Sequence, residues 1–265
     1  MKPAAFYDKA GTTLMLDTRV ASIDRQARTI STDTGPVLRY STLVIATGSR
    51  PRTLALPGAG LEGVMYLRTI ADVQAIRRYL EPGRRLVIVG GGYIGLELAA
   101  VAAKRGVAVT VLEQASRVMA RGVGPIVSAF YERLHREEGV TIATDTAVRG
   151  FEGNGRLEQA RTVAAAICGR PAPTFQTPWF WSDQYDVKLQ MAGLSARHDA
   201  VVVRGDPDRG RSFAVFYLRQ GELVAVDAVN RAPEFMMSKQ LIAERSRVDP
   251  AKLSDERMAM KDVRL

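Results

Sequence analysis

Residues 85–99 constrain this chain more than any other stretch, because they join an apolar run, a glycine turn and an apolar helix without a break. Residues 86–89 read as a buried parallel strand. They lead into Gly90, Gly92 and Gly95, spaced as G-x-G-x-x-G, and then into helical pattern through Lys104. The first glycine makes the tight turn, the second lets a pyrophosphate reach the backbone, and the third lets helix and strand pack closely. The phosphates then meet the helix N-terminus, where unpaired N–H groups and the dipole favour negative charge. Gly106 ends the helix, residues 107–112 form a second strand, and that strand stops at Glu113, eighteen positions past Gly95. A carboxylate at that distance accepts hydrogen bonds from a ribose 2′-hydroxyl. The segment is expected to bind a dinucleotide, with Glu113 favouring NAD over NADP.

The neighbouring pattern extends the same architecture. A helix is expected near 72–80, another over 123–138 with Ile126, Val127, Phe130 and Leu134 at helical spacing, and strands at 140–143 and 147–151. Gly153-Asn154-Gly155 reads as a hairpin turn. Before the central strand, residues 13–16, 19–23 and 29–31 look strand-like, and 40–50 look like a buried strand ending in Ala46-Thr47-Gly48. After it, 158–168 reads as a helix and 171–184 as a loop. Strands follow at 188–191, 200–204, 213–218 and 223–229, with a helix near 234–245. The expected fold is α/β: a partial doubly wound, Rossmann-like NAD-binding unit with a C-terminal α+β domain. The expected boundaries are 1–82, 83–157, 158–173 and 174–265.

Composition narrows the chemistry. With 265 residues the chain can bury a substantial core. One cysteine, Cys168, excludes an internal disulfide or a C-x-x-C redox pair. His135 and His198 lack metal-ligand spacing, so no metal site is expected, and His135 reads as a solvated residue on a charged helix. No G-x-S-x-G suggests a hydrolase. The net charge of +9 is scattered in ones and twos, which points away from nucleic acid and toward an acidic protein partner or a solvated basic surface. No apolar run approaches a membrane span, no signal-peptide core opens the chain, and the cytoplasm is the expected setting.

Taken together, Phe6-Tyr7, residues 18–24, Ala46-Thr47-Gly48, residues 66–69, 90–97 and 128–131, and Pro178-Trp-Phe-Trp-Ser-Asp-Gln184 resemble the FAD-dependent ferredoxin reductases of oxygenase systems. The resemblance implies an oxidoreductase in which NADH reduces FAD and the flavin passes single electrons to an acidic ferredoxin-type iron–sulfur protein. It also implies residue roles. Val20, Gly48 and Arg68 match FAD-contacting positions, while Gly90, Gly92, Ile94, Gly95 and Glu113 match the NADH set. Arg121 matches a position near the adenosine end, Glu97 a carboxylate close to the nicotinamide, and Trp181 a tryptophan beside the flavin ring. Structural alternatives stay open: core packing for Val20 and Trp181, a surface cation for Arg121, a helix-surface acid for Glu97. The resemblance also implies that 1–82 and 158–173 are remnants of a FAD-binding domain and that 174–265 is a reductase C-terminal domain. Two departures stand out. No FAD glycine fingerprint precedes Gly90, and Gly155-Arg-Leu157 runs directly into Glu158-Gln-Ala-Arg161, so the chain reads as a truncated reductase that holds FAD weakly or not at all. The alternative reading is a flavin-free remnant that binds NADH and forms a homodimer.

Overall fold

The computed structural model describes residues 4–33, 35–154, 159–162 and 178–265. Two compact units divide the chain, Met1–Arg50 and Pro51–Leu265. The first holds a short helix α1 (Ala4–Lys9) and a three-stranded antiparallel sheet, β1 (Val20–Asp24), β2 (Thr29–Thr32) and β3 (Leu38–Arg39). Residues 13–16, expected as a strand, are irregular, and the preceding alanine-led segment is helical instead. Residues 41–50 also depart from expectation. No strand forms there, and Val44 and Ile45 are 80% and 68% exposed. A β-branched run becomes a buried strand only when neighbours on both sides take its hydrogen bonds, and no described strand pairs with this one.

In the second unit, α2 (Ile70–Arg77) begins with a capping box: Asp72 donates its backbone N–H to the Thr69 hydroxyl, and the Asp72 carboxylate accepts from the Thr69 N–H. Then come β4 (Arg85–Val89), α3 (Tyr93–Lys104), β5 (Ala108–Leu112), α4 (Pro125–Glu137) and β6 (Thr141–Ala143). The strands form a parallel sheet in the order β4-β5-β6, with β4 at an edge. This is the β-α-β-α-β half expected from the glycine turn. A hairpin of β7 (Val148–Glu152) and β8 (Gln159–Thr162) follows. The helix expected over 158–168 is therefore wrong at 159–162, where these residues pair with β7 as a strand. The remainder of that helix, with Cys168, lies outside the described residues, as do 163–173 of the returning segment.

The C-terminal part is a five-stranded antiparallel sheet of β9 (Trp179–Gln184), β10 (Val187–Gly193), β11 (Ala200–Gly205), β12 (Phe213–Arg219) and β13 (Glu222–Val229), ordered β11-β12-β13-β10-β9. Helices α5 (Ala232–Ala243) and α6 (Pro250–Ser254) cover one face. The stretch expected as a loop is thus partly strand β9, because its side chains alternate between faces around a two-residue turn at Tyr185-Asp186. Alternation also sorts the cores. Val187, Leu189, Phe213, Val215 and Tyr217 pack with Leu96, Val127, Phe130 and Leu134 of the nucleotide unit. Phe216, Leu218 and Val226 pack beneath α5 and α6 with Phe235, Leu241 and Leu253. The nucleotide unit and the C-terminal sheet share one hydrophobic core.

Candidate nucleotide site

The glycine turn follows a strict steric rule. A Cβ on Gly95 would lie 2.1 Å from the Gly90 carbonyl oxygen, so only glycine lets α3 approach β4 this closely. Gly90 has φ +108°, a left-handed conformation that favours glycine. Gly92 is the N-cap of α3, and a Cβ there would meet nothing within 4 Å. The turn is therefore closed toward the protein and open toward a ligand, and a pyrophosphate fits that opening.

Glu113, at the end of β5, reaches back to this turn. Its Oε2 accepts from the Gly91 N–H at 2.7 Å and its Oε1 from the Ala115 N–H at 2.8 Å. Each oxygen keeps a second lone pair, so the carboxylate is fixed yet able to accept from a ribose hydroxyl. The loop after β5 is braced by Arg117, which donates to the carbonyls of Val123 and Ala120 and to Ser128 Oγ. Arg121 is exposed on that loop and Ile94 is exposed on the first turn of α3.

One turn further along α3, half-buried Glu97 meets the C-terminal sheet. Ser182 Oγ donates to Glu97 Oε1 at 2.6 Å. Phe180, on the same face of β9, packs against Tyr93 with ring centroids 4.7 Å apart and ring planes tilted by 51°. Glu97 also borders an apolar groove of about 280 Å³ lined by Leu67, Val73, Ile76, Ile94 and Val101. Trp181 projects from the opposite face of β9, 53% exposed, with its ring 5.4 Å from that of Trp179. Glu97 and Trp181 are thus neighbours through one strand but do not face one another. Neither bland reading by core packing describes this geometry: Trp181 is half open, and Val20 is 47% exposed on β1. Arg68 is exposed, with its backbone N–H donated to Asp72. Val20 and Gly48 belong to the Met1–Arg50 unit, the remaining expected site residues to the other.

His135 corrects the sequence reading. It is fully buried, with Nε2 at 2.8 Å from Gln184 Oε1 and Nδ1 at 3.1 Å from the Tyr185 hydroxyl. Its helix carries charge, but His135 shares the apolar face of Tyr131 and Leu134. Burial lowers its pKa.

Residues 5–172 match the profile of the pyridine nucleotide-disulphide oxidoreductases, and residues 179–264 that of the reductase C-terminal domain. The chain belongs to the pyridine nucleotide-disulphide oxidoreductase family. It is 36% identical to the putidaredoxin reductase of Pseudomonas putida over 94% of this chain and 79% of that protein. It is 33% identical to the ferredoxin–NAD(+) reductase component of the anthranilate 1,2-dioxygenase system of Burkholderia cepacia, over 98% and 84% of the two chains. The solved covalent putidaredoxin reductase–putidaredoxin complex superposes with a TM-score of 0.86 at 33% identity, covering 99% of this chain and 84% of that one. The alignment with the Pseudomonas protein spans 339 positions against 265 residues here, so at least 74 positions of it (339 less 265) have no counterpart in this chain. The family's name notwithstanding, a single cysteine leaves no dithiol.

NAD and FAD are the cofactors that this family membership implies. NAD fits the residues present: an open glycine turn at a helix N-terminus and a held carboxylate. FAD fits incompletely. Among the described residues one strand–glycine–helix cradle exists, with the Glu113 carboxylate hydrogen-bonded to its turn. Residues with an expected FAD role (Val20, Gly48, Arg68, Trp181) include no second cradle for a pyrophosphate.

Proposed function

We propose that this chain is an NADH-dependent reductase of an oxygenase system that passes electrons toward a ferredoxin-type iron–sulfur protein. NADH carries a hydride, hence two electrons, and a ferredoxin accepts one, so each NADH serves two acceptors and releases one proton. In the family the flavin makes that two-to-one conversion; the residues described here account for the NADH half. Gly90, Gly92 and the start of α3 bind the pyrophosphate, Glu113 takes the adenosine ribose, and Arg121 lies toward the adenosine end. Ile94 lines the route past α3, and Glu97 orients the carboxamide of the nicotinamide. The observation that carries this reading is the docking of β9 on α3, which joins Glu97 of the nucleotide unit to Ser182 of the reductase C-terminal domain at 2.6 Å. The partner proposed is acidic, complementing a net charge of +9.

Absorption of the desalted protein with and without added FAD, followed by NADH-driven reduction of a ferredoxin, tests this. Reduction that depends on FAD and weakens as salt rises supports it. A second reading, an NADH-binding and dimerising remnant, is favoured by the single cradle among the described residues and by the positions of the Pseudomonas protein that have no counterpart here. NADH binding with no flavin uptake and no ferredoxin reduction would establish that reading instead.

A further inference from the structure

Four hydrogen bonds run without interruption from the end of β9 to Glu97. The Tyr185 hydroxyl lies 3.1 Å from His135 Nδ1, and His135 Nε2 lies 2.8 Å from Gln184 Oε1. Gln184 Nε2 donates to Ser182 Oγ at 3.0 Å, and Ser182 Oγ donates to Glu97 Oε1 at 2.6 Å. Their directions are not free. A carboxylate only accepts, so Ser182 spends its one proton on Glu97 and takes a proton on its oxygen from the Gln184 amide. The Gln184 carbonyl must then accept, which places a hydrogen on His135 Nε2 and leaves Nδ1 to accept from Tyr185. Burial lowers the pKa of His135 and keeps it the neutral donor–acceptor that this order requires. Every donor in the array points toward Glu97.

The three middle members, Ser182, Gln184 and His135, are all essentially solvent-free. Two come from β9, one from α4, and the acid they serve from α3. We infer that Ser182, Gln184, His135 and Tyr185 are positioning residues that hold one oxygen of Glu97 by a one-directional hydrogen-bond array and so aim its other oxygen at the nicotinamide carboxamide. A charged acceptor strengthens each link behind it, because polarised hydrogen bonds in a low-dielectric interior reinforce one another. The Gln184 amide is a poor carrier of protons, so the array orients and polarises rather than conducting. The consequence is that the C-terminal domain helps to build the NADH site, through side chains that never touch the ligand. This inference rests on the reading that Glu97 contacts the nicotinamide.

The test is a double-mutant cycle on NADH affinity, measured by anaerobic calorimetry on the full chain. Ser182→Ala and Glu97→Gln should each weaken NADH by about tenfold, the scale of a lost hydrogen bond to a charged group, and together should weaken it little more than either alone. Tyr185→Phe removes one half-exposed hydroxyl from the far end. It should leave the protein folded, with an unchanged urea m-value, while moving the ¹⁵N resonance of His135 Nδ1 and weakening NADH by about two- to threefold. In the unaltered protein ¹⁵N NMR should find the proton of His135 on Nε2. If Glu97→Gln weakens NADH and Ser182→Ala does not, the array has no positioning role and the Glu97 reading survives. If Glu97→Gln leaves affinity unchanged, the Glu97 reading falls and the inference with it. A proton on Nδ1, or additive losses in the cycle, would also overturn the array.

Discussion

Two alanine substitutions three positions apart, Gly95→Ala and Gly92→Ala, should separate folding from binding within one turn. At Gly95 the new methyl would stand 2.1 Å from the Gly90 carbonyl oxygen and 3.3 Å from Ile88 Cγ2. An ordinary contact with carbon needs about 3.4 Å or more, so α3 must retreat from β4 by roughly 1 Å, and overpacking of this kind costs about 1–3 kcal/mol. The loss should reach the upper end of that range, because the obstacle is backbone and because Leu96 and Ala99 on the same helix are fully buried. At Gly92 the methyl meets nothing within 4 Å and the backbone φ of −81° suits any residue. Alanine at this N-cap should cost only about 0.5–1 kcal/mol. It would nevertheless project into the space reserved for the pyrophosphate, and NADH affinity should fall by about tenfold or more, about 1.4 kcal/mol per decade. Urea unfolding and calorimetric titration with NADH, run on both variants, read the two quantities separately. Gly92→Ala protein that binds NADH like the parent would refute the cradle, and Gly95→Ala protein as stable as the parent would refute the close packing.

Further outcomes follow from buried polar groups. Asp227 is buried on β13 of the C-terminal sheet, where burial pushes its pKa up to about 7 despite a 2.7 Å hydrogen bond from the Tyr217 hydroxyl. The unfolded chain releases this proton near pH 4, so stability from this group is fully present below that pH, declines by about 1.4 kcal/mol per pH unit as pH rises toward 7, and is flat above. Urea midpoints at pH 5 and pH 8 should differ less in Asp227→Asn than in the parent; an equal difference would contradict the assignment. Arg204 donates to the carbonyls of Leu253, Asp255, Glu256 and Met258 and lies 3.4 Å from buried Glu234. Arg204→Met should cost about 3–5 kcal/mol in urea unfolding by leaving those four carbonyls without this donor and Glu234 with Arg231 as its remaining cation, and a loss under 1 kcal/mol would contradict this. Glu113→Gln should narrow the preference for NADH over NADPH by about 1–3 kcal/mol in paired titrations, and an unchanged ratio would remove the role given to its charge.

The sequence was most legible where a local rule had one solution. The glycine turn, the helix to Lys104, the strand to Glu113 and the apolar stripe of α4 each formed where spacing placed them. Residues 41–50 failed because a buried strand is made by its neighbours, which no run of apolar residues can display by itself. His135 failed for a related reason. Its neighbours in sequence are charged, and only docking of β9 against α4 shows that its own position lies inside. The signal that sequence does carry is the alternation of Phe180, Ser182 and Gln184, which share one face of a strand and set a polar pair inside an apolar interface. That the pair finds Glu97 across 85 residues of sequence is tertiary information.

Calorimetric titration of the desalted chain with NADH, then NADPH, tests the central claim most directly: that the cradle at Gly90–Gly95, with Glu113 held against its turn and Glu97 further along α3, is a site for NADH. The expected result is one NADH per chain, bound more tightly than NADPH. Absence of binding, or equal affinity for the two nucleotides, would contradict it.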